Sequence, residues 1–451
     1  MKRSFFMRVR TIFGFVLTAV ICIAALRVSS SADKGGSEIS KILYTSAPEY
    51  EAQAWIRGGE RFPRGSQIIS DNGSSHHQLV NGFASTADPN VSFDGLHVLF
   101  AGKEKASDRW QIWEVSIEGG APRRVLTTTE DAVRPLYLPD GRLVYARKVK
   151  GQFLLETASL DGKEVLRLSY APGSALPSDV LRDGRILFQA GQPIGPSHTP
   201  ELYTVYSDGS GVESYRCDHG HARYAGRQVA TGDIVFASGT ALGRFTSPLA
   251  HEVAVAAPAG EYAGDVADTG TGEWLVSWRT HAKAKYEIRR VHVDSSAMKT
   301  MAADSSTNLV QPTVVAARPV PNRHPSGLHD WKYANLLALN SYTSRPEIPE
   351  GSIAKVRVYT LGTNGRPKLL GTAPVEKDGS LYVRVPGNVP LQFELQDSAG
   401  KTLKRQAGWF WARGGEQRVC VGCHAGPEQS PENAVPAVLL KSTRPANLSA
   451  D

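Results

Sequence analysis

Cys420-Val421-Gly422-Cys423-His424 sets two thiols three positions apart and places an imidazole directly after the second. Thiolates at that spacing can add to the two vinyl groups of one porphyrin, and the adjoining imidazole can then reach the iron from beneath the ring. Two other chemistries also use a C-x-x-C pair. A thioredoxin-like redox pair opens a helix inside a βαβ pattern, and no such pattern surrounds these residues. A four-cysteine zinc site needs a second pair, whereas only Cys22 and Cys217 remain. The motif therefore predicts one covalent haem c, held by Cys420 and Cys423, with His424 as the proximal iron ligand.

The sixth iron position is open to several readings. No methionine follows the motif, and the candidates upstream are Met298 and Met301. The iron is expected either to lack a strong sixth ligand, and so bind small molecules, or to borrow a histidine and shuttle electrons. His219 and His221, in Cys217-Asp218-His219-Gly220-His221, form the densest ligand-type cluster outside the motif. They could supply a distal haem ligand or hold a separate metal with Cys217, or they could be a polar corner satisfying loop carbonyls. His324 and His329 are alternative distal ligands, while His76-His77, in a Gly-Ser-rich turn, reads as solvated. Trp409 and Trp411 alternate around Phe410, so on a strand both indoles would face the porphyrin or the core. Arg413 and Arg418 could pair with haem propionates through their planar forks. Glu416 reads as a polar group above the ring or as a solvated carboxylate after Gly414-Gly415.

Haem c is attached outside the cytoplasm, and the N-terminus carries matching features. Lys2, Arg3, Arg8 and Arg10 precede an apolar run from Thr11 to Leu26, and Ser30-Ser31-Ala32 supplies small residues for cleavage. The run is shorter than the ~20 residues that span a bilayer comfortably. Residues 1–32 are therefore read as a signal peptide or short N-terminal anchor, any membrane contact being through that segment, and the protein as periplasmic or otherwise extracytoplasmic. With the signal removed, only Cys217, Cys420 and Cys423 remain, so no intrachain disulfide is expected. A net charge of +7, without Lys/Arg runs interleaved with aromatics, speaks against nucleic acid as a partner.

The elements that must position these residues are strands. Apolar alternating runs recur at 41–46, 97–102, 142–147, 185–190, 233–238 and 273–278, with spacings that cluster near about 45 residues, the period of a four-stranded propeller blade. Asp94-Gly95, Asp140-Gly141 and Asp183-Gly184 precede three of these runs as tight-turn pairs. Stacking such units radially covers faces that no single unit can cover. Residues 38–310 are thus expected to form a β-propeller of about six blades, the first being the least regular. The Asp-Gly phrases resemble the repeats of TolB-like periplasmic propellers. Pro312, Pro319, Pro321 and Pro325 mark a linker over 311–329. Within 330–451, Ala354–Leu361, Ser380–Val385 and Leu391–Leu395 read as strands of a small β-sandwich-like domain that ends in the haem segment.

Ala373-Pro374-Val375-Glu376-Lys377-Asp378-Gly379-Ser380-Leu381, Val385–Phe393, Gly415–His424 and Glu432–Pro436 resemble the middle domain of the hydrazine synthase alpha subunit family, over about residues 330–447. The order of parts, propeller then haem domain, is similar too. That resemblance implies a secreted haem c protein whose β-domain carries an active-site-like haem, in a family whose complex combines nitric oxide and ammonium into hydrazine. The family pattern includes a further domain with a second haem, which this sequence lacks, so the fold and haem attachment carry over and the reaction does not. The expected function is that of an exported monohaem c-type cytochrome-like redox protein, transferring electrons or acting on a small nitrogen or oxygen species. A redox partner protein and a hetero-oligomeric complex would accompany it. The alternative is a non-catalytic, propeller-based protein-binding module with a structural or sensing haem.

Overall fold

The structure is a computed structural model and describes residues 39–191, 199–216, 220–247, 250–292, 295, 297–422 and 433–449. Residues 39–451 form one compact unit. Among the described residues, six sheets arranged as blades precede two sheets arranged as a sandwich. Each run identified by alternation is the second strand of its blade: Ile42–Ala47, His97–Lys103, Arg142–Val149, Ile186–Gly191, Ile234–Ser238 and Glu273–Arg279. These strands are buried on both faces. Leu43, Val98, Leu99, Leu143, Val144, Leu187, Val235 and Leu275 all have no exposure, which accounts for the near-continuous apolar runs.

Blade one is completed by the chain's return. Asn308–Val314 pairs antiparallel with Ile42–Ala47, from Ile42 opposite Val314 to Ala47 opposite Asn308. This closes the ring and removes the free edges that an open array would leave. The closing strand runs four residues past the proline-marked boundary expected at 310, because Pro312 lies inside a register shift where no ladder N–H is needed. From Val315 the linker crosses the face formed by the Asp-Gly turns. Arg318 N donates to Phe93 O (2.9 Å) and Asn322 N to Arg182 O (2.8 Å). A Cβ on Gly184 would lie 2.3 Å from Asn322 O, so the turn residue must be glycine both for its positive φ and for this approach.

The irregular first unit has a physical explanation. Residues 48–66 leave blade one as a plug over the opposite end of the ring. Trp55, 2% exposed, meets Trp110 of blade two at 6.2 Å and Phe153 of blade three at 6.1 Å, and Tyr50 meets Tyr286 of blade six at 5.9 Å. Beneath the plug the innermost strands bulge towards the axis, with positive φ at Asp88, Arg134, Ala225, Asp265 and Gln311. These bulges deliver a buried ionic cluster. Arg134 grips Asp265 with two bonds of 2.9 and 3.0 Å, Arg227 adds one of 3.2 Å, and Arg61 from the plug adds one of 3.3 Å. Burial alone would raise the Asp265 carboxyl, but the Arg134, Arg227 and Arg61 guanidiniums hold it well below the usual carboxylate range.

The sandwich follows from two four-stranded sheets. One orders Gln417–Cys420, Tyr333–Ala338, Leu381–Pro386 and Ala446–Asn447; the other orders Pro367–Pro374, Lys355–Leu361, Gln392–Gln396 and Thr402–Arg405. Alternate residues face inward, so Ala334, Leu336, Val383 and Val385 pack against Val356, Val358 and Leu395. The apolar stretch after Trp331 thus becomes a central strand, beside the strand that ends in the first thiol.

Candidate functional site

Cys420 closes the edge strand Gln417–Cys420. That strand runs parallel to Tyr333–Ala338, with Cys420 opposite Ala338, and Leu339 N donates to Cys420 O at 2.9 Å. Its thiol is half-buried against the sandwich core and unbridged. Cys423 and His424 lie outside the described residues, as do Cys217 and His219. Just past Cys420, the second spacer residue of the motif meets the loop 340–343. A Cβ on Gly422 would stand 2.4 Å from Thr343 O and 3.0 Å from Asn340 O. The loop itself is tied down, Tyr342 N donating to Asn340 Oδ1 and Ser341 N to Gly379 O, both at 2.8 Å. After the motif, the chain returns to the same sheet. Ala437 N donates to Asp378 Oδ2 (2.7 Å), and Ala446–Asn447 pairs with Val383–Arg384 on the opposite edge.

The residues ahead of the motif turn towards the propeller. Trp411, 2% exposed, sits among Leu138, Val144, Leu155, Phe188 and Tyr203 of blades three and four, 6.3 Å from the Phe188 ring. Phe410 goes the other way, edge-on to Phe393 of the sandwich at 5.1 Å, and Trp409 is half-buried. The expected Trp-Phe-Trp strand is reduced to the single bridge Leu391–Phe410. Gly415 lies in the left-handed region, and a Cβ there would be 1.9 Å from His329 O. Glu416 is neither solvated nor free: its Oε2 accepts from Arg413 N (2.7 Å) and its Oε1 from Gly211 N of blade four (3.2 Å). Arg413 donates to Tyr170 Oη (2.5 Å) and Asn388 Oδ1 (3.0 Å). Arg418, read as a propionate partner, donates through Nη2 to Val212 O and through Nη1 to Trp411 O at 3.4 Å.

The other candidates are dispersed. His324 stacks on Tyr206 at 3.7 Å with Asp208 3.8 Å from its Nε2, and exposed His329 stacks on Trp331 at 4.2 Å. His221 is exposed on a loop beside Pro200 and Glu201, whereas Arg418 grips Val212, beyond the other end of the Pro200–Val205 strand. About 17 Å of strand separates those two ends. Met298 and Met301 lie on the outermost strand of blade six, and His76 and His77 are exposed as expected. Sequence reasoning missed Gly211, Val212 and Thr343, which act through main-chain atoms and carry no side-chain signature, and Asn340, whose Oδ1 braces the loop.

A closed propeller plugged at one end, joined to a sandwich whose edge strand delivers a thiol into a C-x-x-C-H run, defines the class. Residues 348–425 match the family model described as the hydrazine synthase alpha subunit middle domain, a match that runs through His424. Hydrazine synthase subunit alpha of Kuenenia stuttgartiensis is 25% identical over 174 residues, covering 37% of this chain and 20% of the relative. The solved structure of Kuenenia stuttgartiensis hydrazine synthase superposes with a TM-score of 0.76 at 17% identity, over 90% of this chain and 72% of that one. TolB from Acinetobacter baumannii gives a TM-score of 0.47 at 14% identity, over 61% and 67%. The chain resembles the hydrazine synthase alpha subunit in fold, and it aligns with about a fifth of that relative's sequence.

Proposed function

We propose that this protein is an exported monohaem c redox protein, its haem held by Cys420, Cys423 and His424. The observation that carries this reading is the placement of the whole C-x-x-C-H run inside the matched segment 348–425, beginning at the end of a strand paired with Tyr333–Ala338. The residues fit the group. Cys420 presents an unbridged, partly exposed thiol, and the donor set of two thiols and an imidazole is the one covalent haem requires. Haem there would supply one-electron chemistry and, with its sixth position open, a binding place for a small nitrogen or oxygen species. Met298 and Met301 lie on the outermost strand of blade six, which favours the open position.

The chain's own residues hold this segment in place. Strand pairing to Tyr333–Ala338 orients the Cys420 thiol, close packing holds Gly422 against the loop 340–343, and the Asp378–Ala437 bond ties the chain to the same sheet again. Covalent haem implies export, for which residues 1–32 would serve, and no helix among the described residues is long and apolar enough to cross a membrane. A relative named as a subunit supports work within a hetero-oligomer, with a redox partner protein.

The test is maturation of the full chain in a cytochrome c-competent host. Intact mass should show one covalent haem, absent from the Cys420→Ala/Cys423→Ala variant. The ferrous protein should be high-spin and take up carbon monoxide rapidly. A chain without added haem mass would end the haem reading, and low-spin bands insensitive to carbon monoxide would make the protein an electron carrier.

A further inference from the structure

We propose that Arg418 and Glu416 are positioning residues: they clamp the main chain of blade four at Gly211-Val212 and thereby fix the thiol-bearing strand against the propeller. The inference rests on the haem reading only for its consequence, not for its geometry. Glu416 Oε1 accepts from Gly211 N at 3.2 Å, and Arg418 Nη2 donates to Val212 O, so consecutive residues of one loop are held by their N–H and their C=O. Gly211 adopts positive φ, which turns its N–H towards the carboxylate. Arg418 Nη1 also reaches Trp411 O at 3.4 Å, which ties the clamp to the indole seated between blades three and four.

Several features mark this as more than a surface contact. Glu416 is 6% exposed and the Arg418 side chain 18%, and their charged groups lie 4.0 Å apart. Gly415 leaves room for only a hydrogen where His329 O approaches, so the turn entering the strand has one path. Arg418 and Cys420 stand two residues apart, on the same face of the strand and about 7 Å from each other. A displacement at the clamp therefore reaches the thiol directly. Charge alone does not explain the arrangement, because the planar guanidinium addresses the two carbonyls with two separate nitrogens, a geometry that a lysine ammonium does not reproduce.

The test compares Arg418→Ala and Arg418→Lys in the full chain by backbone hydrogen exchange over 417–420, with the Ile186–Gly191 strand as the control for an intact propeller. Both variants should exchange about ten- to a hundred-fold faster over 417–420, the factor expected when a charge-assisted bond loses its partner. The haem midpoint potential should move in both, although lysine conserves the charge. Wild-type protection in Arg418→Lys, or a potential that moves in the alanine variant alone, would reduce Arg418 to a charge effect and overturn the proposal. If Arg418→Ala fails to fold, the lysine variant carries the test. A wild-type chain that takes up no haem removes the proposed function and leaves the exchange test standing.

Discussion

Gly422→Ala places one methyl group where the structure has room for none. The added Cβ would lie 2.4 Å from Thr343 O, 2.7 Å from Thr343 Cβ and 3.0 Å from Asn340 O. Carbon contacts settle at roughly 3.5 Å, so the nearest approach is about 1 Å too short. Backbone cannot swing aside as a side chain can, and this loop is braced. Ser341 N is bonded to Gly379 O, and Gly379 itself would place a Cβ 2.6 Å from Asn340 Oδ1, so the strain meets a second tight contact. Overpacking of this kind costs about 1–3 kcal/mol. That makes the strained junction about five- to a hundred-and-fifty-fold more often open. Urea unfolding followed by tryptophan fluorescence should show the loss of stability, and intact mass should show a smaller fraction of chains carrying haem. Thr343→Gly, which removes the 2.7 Å contact, should recover part of both. A Gly422→Ala chain with the wild-type urea midpoint and full haem content would refute the steric argument.

Three further outcomes follow from the packing. Trp411→Ala should destabilise the chain by about 3–5 kcal/mol in guanidinium unfolding. Trp411→Phe should cost clearly less, because it keeps an aromatic ring in the site and the buried Nε1 has no partner to lose; equal losses would refute the reading of Trp411 as an apolar peg. Asp265→Asn leaves Arg61, Arg134 and Arg227 without their shared anion and should cost about 3–5 kcal/mol in thermal unfolding, a loss under about 1 kcal/mol counting against the axial cluster. Partial burial pushes the Asp378 carboxyl up, but bonds from Ala437 N and the Ser380 hydroxyl and N–H hold it below its ordinary 3.8. A depressed carboxylate stabilises fully above that ordinary value and loses its contribution as pH falls through the lower folded value. Exchange protection over 437–447 should fall in that acidic window, and Asp378→Asn should abolish the pH dependence.

What could be read in the sequence, and what could not, divides along the nature of the contacts. Strands such as His97–Lys103 and Ile186–Gly191 announce themselves because burial on both faces demands apolar side chains at successive positions. The closing strand does not, since Gln311-Pro312 sits at a bulge and Gln311 points to the axis, where Thr45 Oγ1 donates to it at 2.7 Å. Nor do the axial ion pairs, because Arg134 and Asp265 lie 131 positions apart and only ring closure makes them neighbours. The thiols and imidazole of the motif are legible because covalent chemistry requires those residue types at that spacing. Their surroundings are not, because the Arg418 fork and the Glu416 carboxylate recognise the main chain of Gly211-Val212, and any residue type presents the same carbonyl. Where main chain meets main chain, the sequence keeps a different record: glycine at the points of closest approach. Gly415 beneath His329 O and Gly422 beneath Thr343 O bracket the strand that carries Cys420, and each excludes a Cβ by distance. The run Gly415-Glu416-Gln417-Arg418 and the glycine inside C-x-x-C-H are therefore parts of one device. The first sets where the strand leaves the propeller, and the second sets where it leaves the sheet.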